Sequence, residues 1–128
     1  VRDKADVMRA IDSGSAQIAD ARSPGRFRAE EPEPREGMRG GHMPGAANVH
    51  YRTLLNDDGT VKATQDIRAV FEAAGVDLAK PVITTCGSGV TAAILTLGLT
   101  LLGHNRNALY DGSWSEWGRD SDTPVETG

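Results

Sequence analysis

One stretch constrains the fold of this chain more than any other. The run Pro81-Val82-Ile83-Thr84-Thr85 stops at Cys86, gives way to Gly87-Ser88-Gly89-Val90-Thr91, and resumes as Ala92-Ala93-Ile94-Leu95-Thr96-Leu97. A short β-branched run, a glycine-bearing turn and a longer apolar segment read as strand, loop and helix, the unit from which parallel α/β sheets are assembled. In such sheets ligands bind in the crevice beyond the carboxyl ends of the strands, and Cys86 falls at such an end. A sulfur placed just before a helix N-terminus meets unpaired backbone N–H groups and the positive end of the helix dipole. Gly87 and Gly89 permit backbone angles that let successive N–H groups curl inward around an anion. A lone cysteine is elsewhere most often a small buried hydrophobe; this position favours a reactive thiolate.

The rest of the chain is consistent with a sheet of this kind. Asp3 to Ile11 sets Val7, Met8 and Ile11 at helical spacing, and Ser13-Gly14-Ser15 stops the pattern. Gln17 to Ala21 reads as a buried strand and Ala47-Asn48-Val49 as a second. Tyr51 to Leu55 reads as one helical turn. Thr64 to Gly75 predicts an amphipathic helix with Ile67, Val70, Phe71 and Ala74 on one stripe, Thr64 as cap and Gly75 as stop. A helix over Thr91 to Leu102, a strand over Ala108 to Tyr110 and a short helix within Gly112 to Gly118 complete the series. Between Arg22 and Met43 the composition turns to Pro, Gly, Glu and Arg, which predicts a long surface excursion with little regular structure. The expected fold is α/β: a mainly parallel sheet of about five strands with helices on both faces, joined by right-handed crossovers.

The 128 residues fit one domain, residues 1–128. A net charge of −4 with mixed signs and no basic tract excludes nucleic acid and anionic membrane surfaces as expected partners. One cysteine cannot close an internal disulfide, and His42, His50 and His104 are too scattered for a zinc site, so neither a metal nor a cofactor is expected. The apolar stretch Ala92 to Leu102 is broken by Thr96, Gly98 and Thr100 and falls short of the about 20 residues that span a bilayer. No secretion signal is present and the chain starts at Val1, so the expectation is a cytoplasmic protein and a piece of a longer one.

Two enzyme classes place a reactive cysteine in a loop of this length. Cysteine-dependent phosphatases carry an arginine six residues after the cysteine to clamp phosphate; here that position is Ala92, which argues against phosphatase chemistry. The other class is the sulfurtransferases. Cys86-Gly87-Ser88-Gly89-Val90-Thr91-Ala92 resembles the active-site loop of the 3-mercaptopyruvate sulfurtransferases of the rhodanese superfamily. Four further segments carry the resemblance in family order: Asp20-Ala21-Arg22; Gly25-Arg26-Phe27-Arg28 with Glu31-Pro32-Glu33-Pro34-Arg35; Gly41 to Asn48; and Tyr110 to Gly118. Where the thiosulfate-using branch has a basic Arg-Lys pair, this chain has Gly87 and Ser88, which suits a donor whose charge lies on a carboxylate far from its sulfur.

The resemblance implies a catalytic rhodanese domain, the C-terminal half of a tandem protein whose inactive N-terminal domain is absent from this chain. It implies that Cys86 carries a persulfide and passes sulfur to a thiol or cyanide, thioredoxin being one such acceptor. It assigns the donor carboxylate to Arg26 and Arg35, whose planar guanidinium groups match a carboxylate and an adjacent keto oxygen. The N–H groups of Gly87, Ser88, Gly89, Val90 and Thr91 would hold the negative sulfur. Ser88 either hydrogen-bonds the persulfide and assists proton delivery or is a small residue that fits the turn. Asp20 and Arg22 are expected to pair, His42 to pack, and Trp114 and Trp117 to fill core and rim. The rival readings are a thiosulfate sulfurtransferase and a non-catalytic sulfur-carrier or regulatory module.

Overall fold

The computed structural model describes residues 2–33, 37–87, 91–119 and 123–127. Four parallel strands form the sheet: β1 (Gln17–Asp20), β2 (Ala47–Asn48), β3 (Val82–Thr85) and β4 (Asn107–Leu109), in the order β2-β1-β3-β4. The register pairs Ala19 with Ala47, Ala19 with Thr84, and Ile83 with Ala108. The sequence predicts about five strands; among the described residues there are four. Tyr110, expected inside the last strand, lies just past its end, where it bridges to Arg2 and donates its N–H to the Thr84 carbonyl at 2.9 Å.

Every residue of β3 is buried, as in a strand covered on both faces. Alternate residues point to two separate cores. On one face Ala19 and Val82 pack with Ile67 and Phe71 of α3 (Thr64–Ala73) and with Leu95 and Leu99 of α4 (Ala92–Leu101). On the other, Ile18 and Ile83 pack with Val7 and Ala10 of α1 (Lys4–Ser13) and with Trp114 and Trp117 of α5 (Ser113–Trp117). The helix α1 begins at Asp3, whose carboxylate accepts from the Asp6 N–H while Asp6 reaches back to the Asp3 N–H, a capping box.

Two local expectations differ from the structure. Thr64 is the first residue of α3 rather than its cap; the cap position is Ala63, whose side chain offers no acceptor. The excursion from Arg22 to Met43 contains a helical turn, α2 (Pro24–Phe27), started by Ser23 accepting from the Arg26 N–H at 3.5 Å and by Pro24 in the first turn. A serine followed by proline is a helix-start signal that the polar composition of this stretch conceals.

The helix α4 sits close to its neighbours because Gly98 has no side chain. A methyl group there would lie 3.1 Å from Leu54 Cδ1 and 3.3 Å from Ile67 Cγ2, both fully buried. Replacing Gly98 by valine is expected to overpack this contact and lower stability by about 1–3 kcal/mol, read as a fall in melting temperature.

Candidate active site

Because β1 and β3 are parallel neighbours, their carboxyl ends lie side by side, and the Ala21 N–H donates to the Thr85 carbonyl at 2.8 Å. Cys86 therefore leaves the sheet next to Ala21 and Arg22. It is 1% exposed. The segment that follows β4 covers it: the Cys86 N–H donates to Ser113 Oγ at 3.1 Å, the Cys86 carbonyl accepts from the Trp114 N–H at 2.8 Å, and the Gly87 carbonyl accepts from the Ser115 N–H at 2.8 Å. The one proton of the Ser113 hydroxyl can go to the Tyr110 carbonyl at 2.9 Å or to Cys86 Sγ at 3.9 Å. Ser113 holds φ at +50°, an unfavourable angle for a residue with a side chain, and these bonds keep it there.

A cavity of about 390 Å³ has a described lining that includes Arg22, Arg26, Glu33, His50, Gly87 and Thr91; it reaches Gly87, the residue after Cys86, while Cys86 itself is buried and does not line it. Gly87 and Thr91 are the two ends of the loop that follows Cys86. Ser88, Gly89 and Val90, together with Arg35, lie outside the described residues. Of the proposed substrate-binding groups, the structure thus brings Arg26, Gly87 and Thr91 to one cavity beside Cys86.

Arg26 projects from α2 and is held by Glu33, with Nη2 donating to Oε1 at 2.8 Å and Nε to Oε2 at 3.2 Å. The carboxylate raises the Arg26 pKa above its ordinary value against the opposing effect of burial, and the charges of Asp20 and Cys86 add smaller pulls in the same direction. A methyl group at Gly87 would come within 2.8 Å of Arg26 Nη2, so the guanidinium lies directly against the loop only because residue 87 is glycine.

Asp20 and Arg22 pair as expected, and both side chains are 1% exposed. Arg22 donates through Nη2 to Asp20 Oδ2 at 2.8 Å and to the Gly41 carbonyl at 2.7 Å, and its guanidinium stacks 4.2 Å above the Trp114 ring. His42 is a packing residue, stacked on Phe27 at 3.8 Å with Nδ1 bound at 2.8 Å to the Phe27 carbonyl. Trp114 and Trp117 are core, their ring N–H groups donating to the carbonyls of Arg39 and Pro124.

Three site residues escape a reading of the sequence. Glu33 lies in the acidic run Glu30 to Glu33, where a carboxylate reads as solvated, yet its side chain is 3% exposed. Ser113 in a Gly-Ser-Trp turn reads as a turn residue, and only tertiary contact brings it to Cys86. His50 follows β2 by two positions and lines the cavity; burial and then the nearby Arg52 charge lower its pKa from the ordinary histidine value, with Glu31 opposing.

No group of histidines, cysteines and carboxylates among the described residues is arranged to hold a metal ion. No helix among them is long and apolar enough to cross a membrane.

A model of the rhodanese-like domain matches residues 3–120. The 3-mercaptopyruvate sulfurtransferase of Escherichia coli is 50% identical over 121 residues, covering 94% of this chain and 43% of the relative. The human 3-mercaptopyruvate sulfurtransferase is 45% identical over 112 residues, covering 88% of this chain and 38% of the relative. Among solved structures, SseA from Escherichia coli, described there as a 3-mercaptopyruvate sulfotransferase, superimposes with a TM-score of 0.76 at 45% identity, over 91% of this chain and 42% of that one. The chain therefore spans about two fifths of the length of the relatives it matches.

Proposed function

The chain belongs to the rhodanese-like family, and from that membership we propose that it transfers sulfur from 3-mercaptopyruvate through a persulfide on Cys86. The observation that carries this reading is the placement of Arg26 against Gly87, the residue after Cys86, in the wall of a cavity that Gly87 and Thr91 also line. A docking module has no need of a guanidinium at that point.

In the first half-reaction the Cys86 thiolate attacks the donor sulfur. The carbon–sulfur bond breaks with its electron pair leaving on carbon as the enolate of pyruvate, which then takes up a proton, and Cys86 carries the persulfide. In the second, an acceptor thiolate attacks the outer sulfur and leaves as its own persulfide, returning Cys86 to the thiolate. In this reading the N-terminus of α4 and the N–H groups of residues 87–91 would stabilise negative sulfur at both stages. The donor carboxylate is met by Arg26 and Arg35, and Ser88 stands in the loop where it could serve the persulfide. Residues 1–128 would act as the catalytic half of a longer tandem protein, with a thiol such as thioredoxin as acceptor.

Replacing Arg26 by alanine is expected to lower kcat/KM for mercaptopyruvate by about 10–100-fold, the value of a hydrogen-bonded charge pair. Pyruvate release and intact mass after incubation with mercaptopyruvate provide the measurements. Unchanged mercaptopyruvate turnover in the variant would remove the carboxylate clamp.

A further inference from the structure

Arg26 presents two hydrogen-bonding edges, and they face different ways. The Nε–Nη2 edge is filled by Glu33. The Nη1–Nη2 edge faces the catalytic loop: a methyl group on Gly87 would lie 2.8 Å from Nη2 and 3.7 Å from Nη1. Glu33 cannot swing freely, because its side chain is 3% exposed and its Oε2 also accepts from Arg22 Nη1 at 3.4 Å. Arg22 is in turn bound to Asp20. Four charges therefore alternate in one chain of ion pairs, Asp20, Arg22, Glu33, Arg26; the last three line the cavity and Asp20 is buried behind Arg22, so within this chain the two cations are matched by two carboxylates. Among the described residues that line the cavity no further charged side chain is present.

The geometry points to Glu33 as a specificity-determining positioning residue: it turns the free edge of Arg26 toward the loop and, by cancelling one positive charge, matches the site to singly charged donors over dianions. The identity of the donor rests on the function proposed above, whereas the charge discrimination does not. In a singly charged 2-oxo acid the carboxylate can meet the open guanidinium edge without leaving a second charge unmatched. Thiosulfate brings two negative charges toward Arg26, whose positive charge Glu33 already offsets. The repulsion contributed by Glu33 is proportional to the ligand's charge, so removing it multiplies the affinity for a dianion by the square of the factor gained by a monoanion.

The test uses anions that do not react, so that it is independent of turnover. Sulfate is the dianion and pyruvate the singly charged 2-oxo acid, each titrated by calorimetry at low salt into the unaltered protein and into Glu33→Gln and Glu33→Asp. With Gln, pyruvate is expected to bind roughly threefold tighter and sulfate roughly tenfold tighter, for a charge removed at about 7 Å in a wet site. With Asp, which keeps the charge on a side chain one methylene shorter, the ratio of sulfate to pyruvate affinity is expected to stay within roughly twofold of that of the unaltered protein. Equal changes for the two anions in the Gln variant, weaker binding of sulfate than before, or no binding of either anion to any of the three proteins would overturn the proposal. Failure of the donor assignment would look different: the unaltered protein would release no pyruvate from mercaptopyruvate while the anion ratio still shifted.

Discussion

Cys86→Ser is expected to remove sulfur transfer, by a factor on the order of 10⁵ or more in kcat, the scale reached when a covalent nucleophile is deleted. A hydroxyl cannot carry the second sulfur. The variant should fold, since serine is nearly isosteric and the Ser113 hydroxyl beside position 86 offers it a partner. Two measurements check this together: the protein mass should gain no sulfur after incubation with mercaptopyruvate, and the melting temperature should change little. Turnover within tenfold of the unaltered protein would mean that sulfur moves without a covalent intermediate at this position.

The second large effect concerns stability. Asp20→Ala is expected to destabilise the domain by about 3–5 kcal/mol, because it strands the Arg22 guanidinium where 1% of the side chain is exposed. Asp20 accepts from Arg22 Nε, from Nη2 and from the Arg22 backbone N–H, and a distant partner replaces none of these. Set against a total stability of about 5–15 kcal/mol for a domain of this size, that is enough to leave a substantial unfolded population at elevated temperature. Urea unfolding reads the change directly. A loss below about 1 kcal/mol would show that the Gly41 carbonyl, Glu33 and the Trp114 ring suffice to hold the cation.

What the sequence disclosed, and what it concealed, follows from how local each signal is. The strand, loop and helix around Cys86 are contiguous in the chain, and their pattern needs no partner to be recognised. Arg26 and the Asp20–Arg22 pair also reveal themselves, because each lies within a short segment characteristic of the family. Glu33 is different: its burial depends on Arg22 and Arg26 closing over it, and nothing in the run Glu30-Glu31-Pro32-Glu33 distinguishes the third acid from the first two. Ser113 and His50 are likewise placed by the sheet, which carries the ends of β2 and β4 to the edge of the same crevice. Element boundaries depend on backbone partners for the same reason. The strand expected through Tyr110 ends at Leu109, and Thr64, which has the chemistry of a cap, falls one position inside its helix.

The strand order has a consequence for how the protein comes into being. The central strand β1 is made early, yet its partner β3 follows only after α2, β2 and α3, so the middle of the sheet cannot close until most of the chain has been synthesised. Cys86 emerges immediately after β3, while Ser113, Trp114 and Ser115, whose bonds enclose it, come later still. During synthesis or refolding the thiol thus passes through an interval in which it is accessible to oxidants and to the thiols of other chains. Having no second cysteine, the chain cannot mispair with itself, so the damage to guard against is oxidation or intermolecular disulfide formation. A reductant therefore matters most while the domain is folding, and least once α5 has settled over the end of β3.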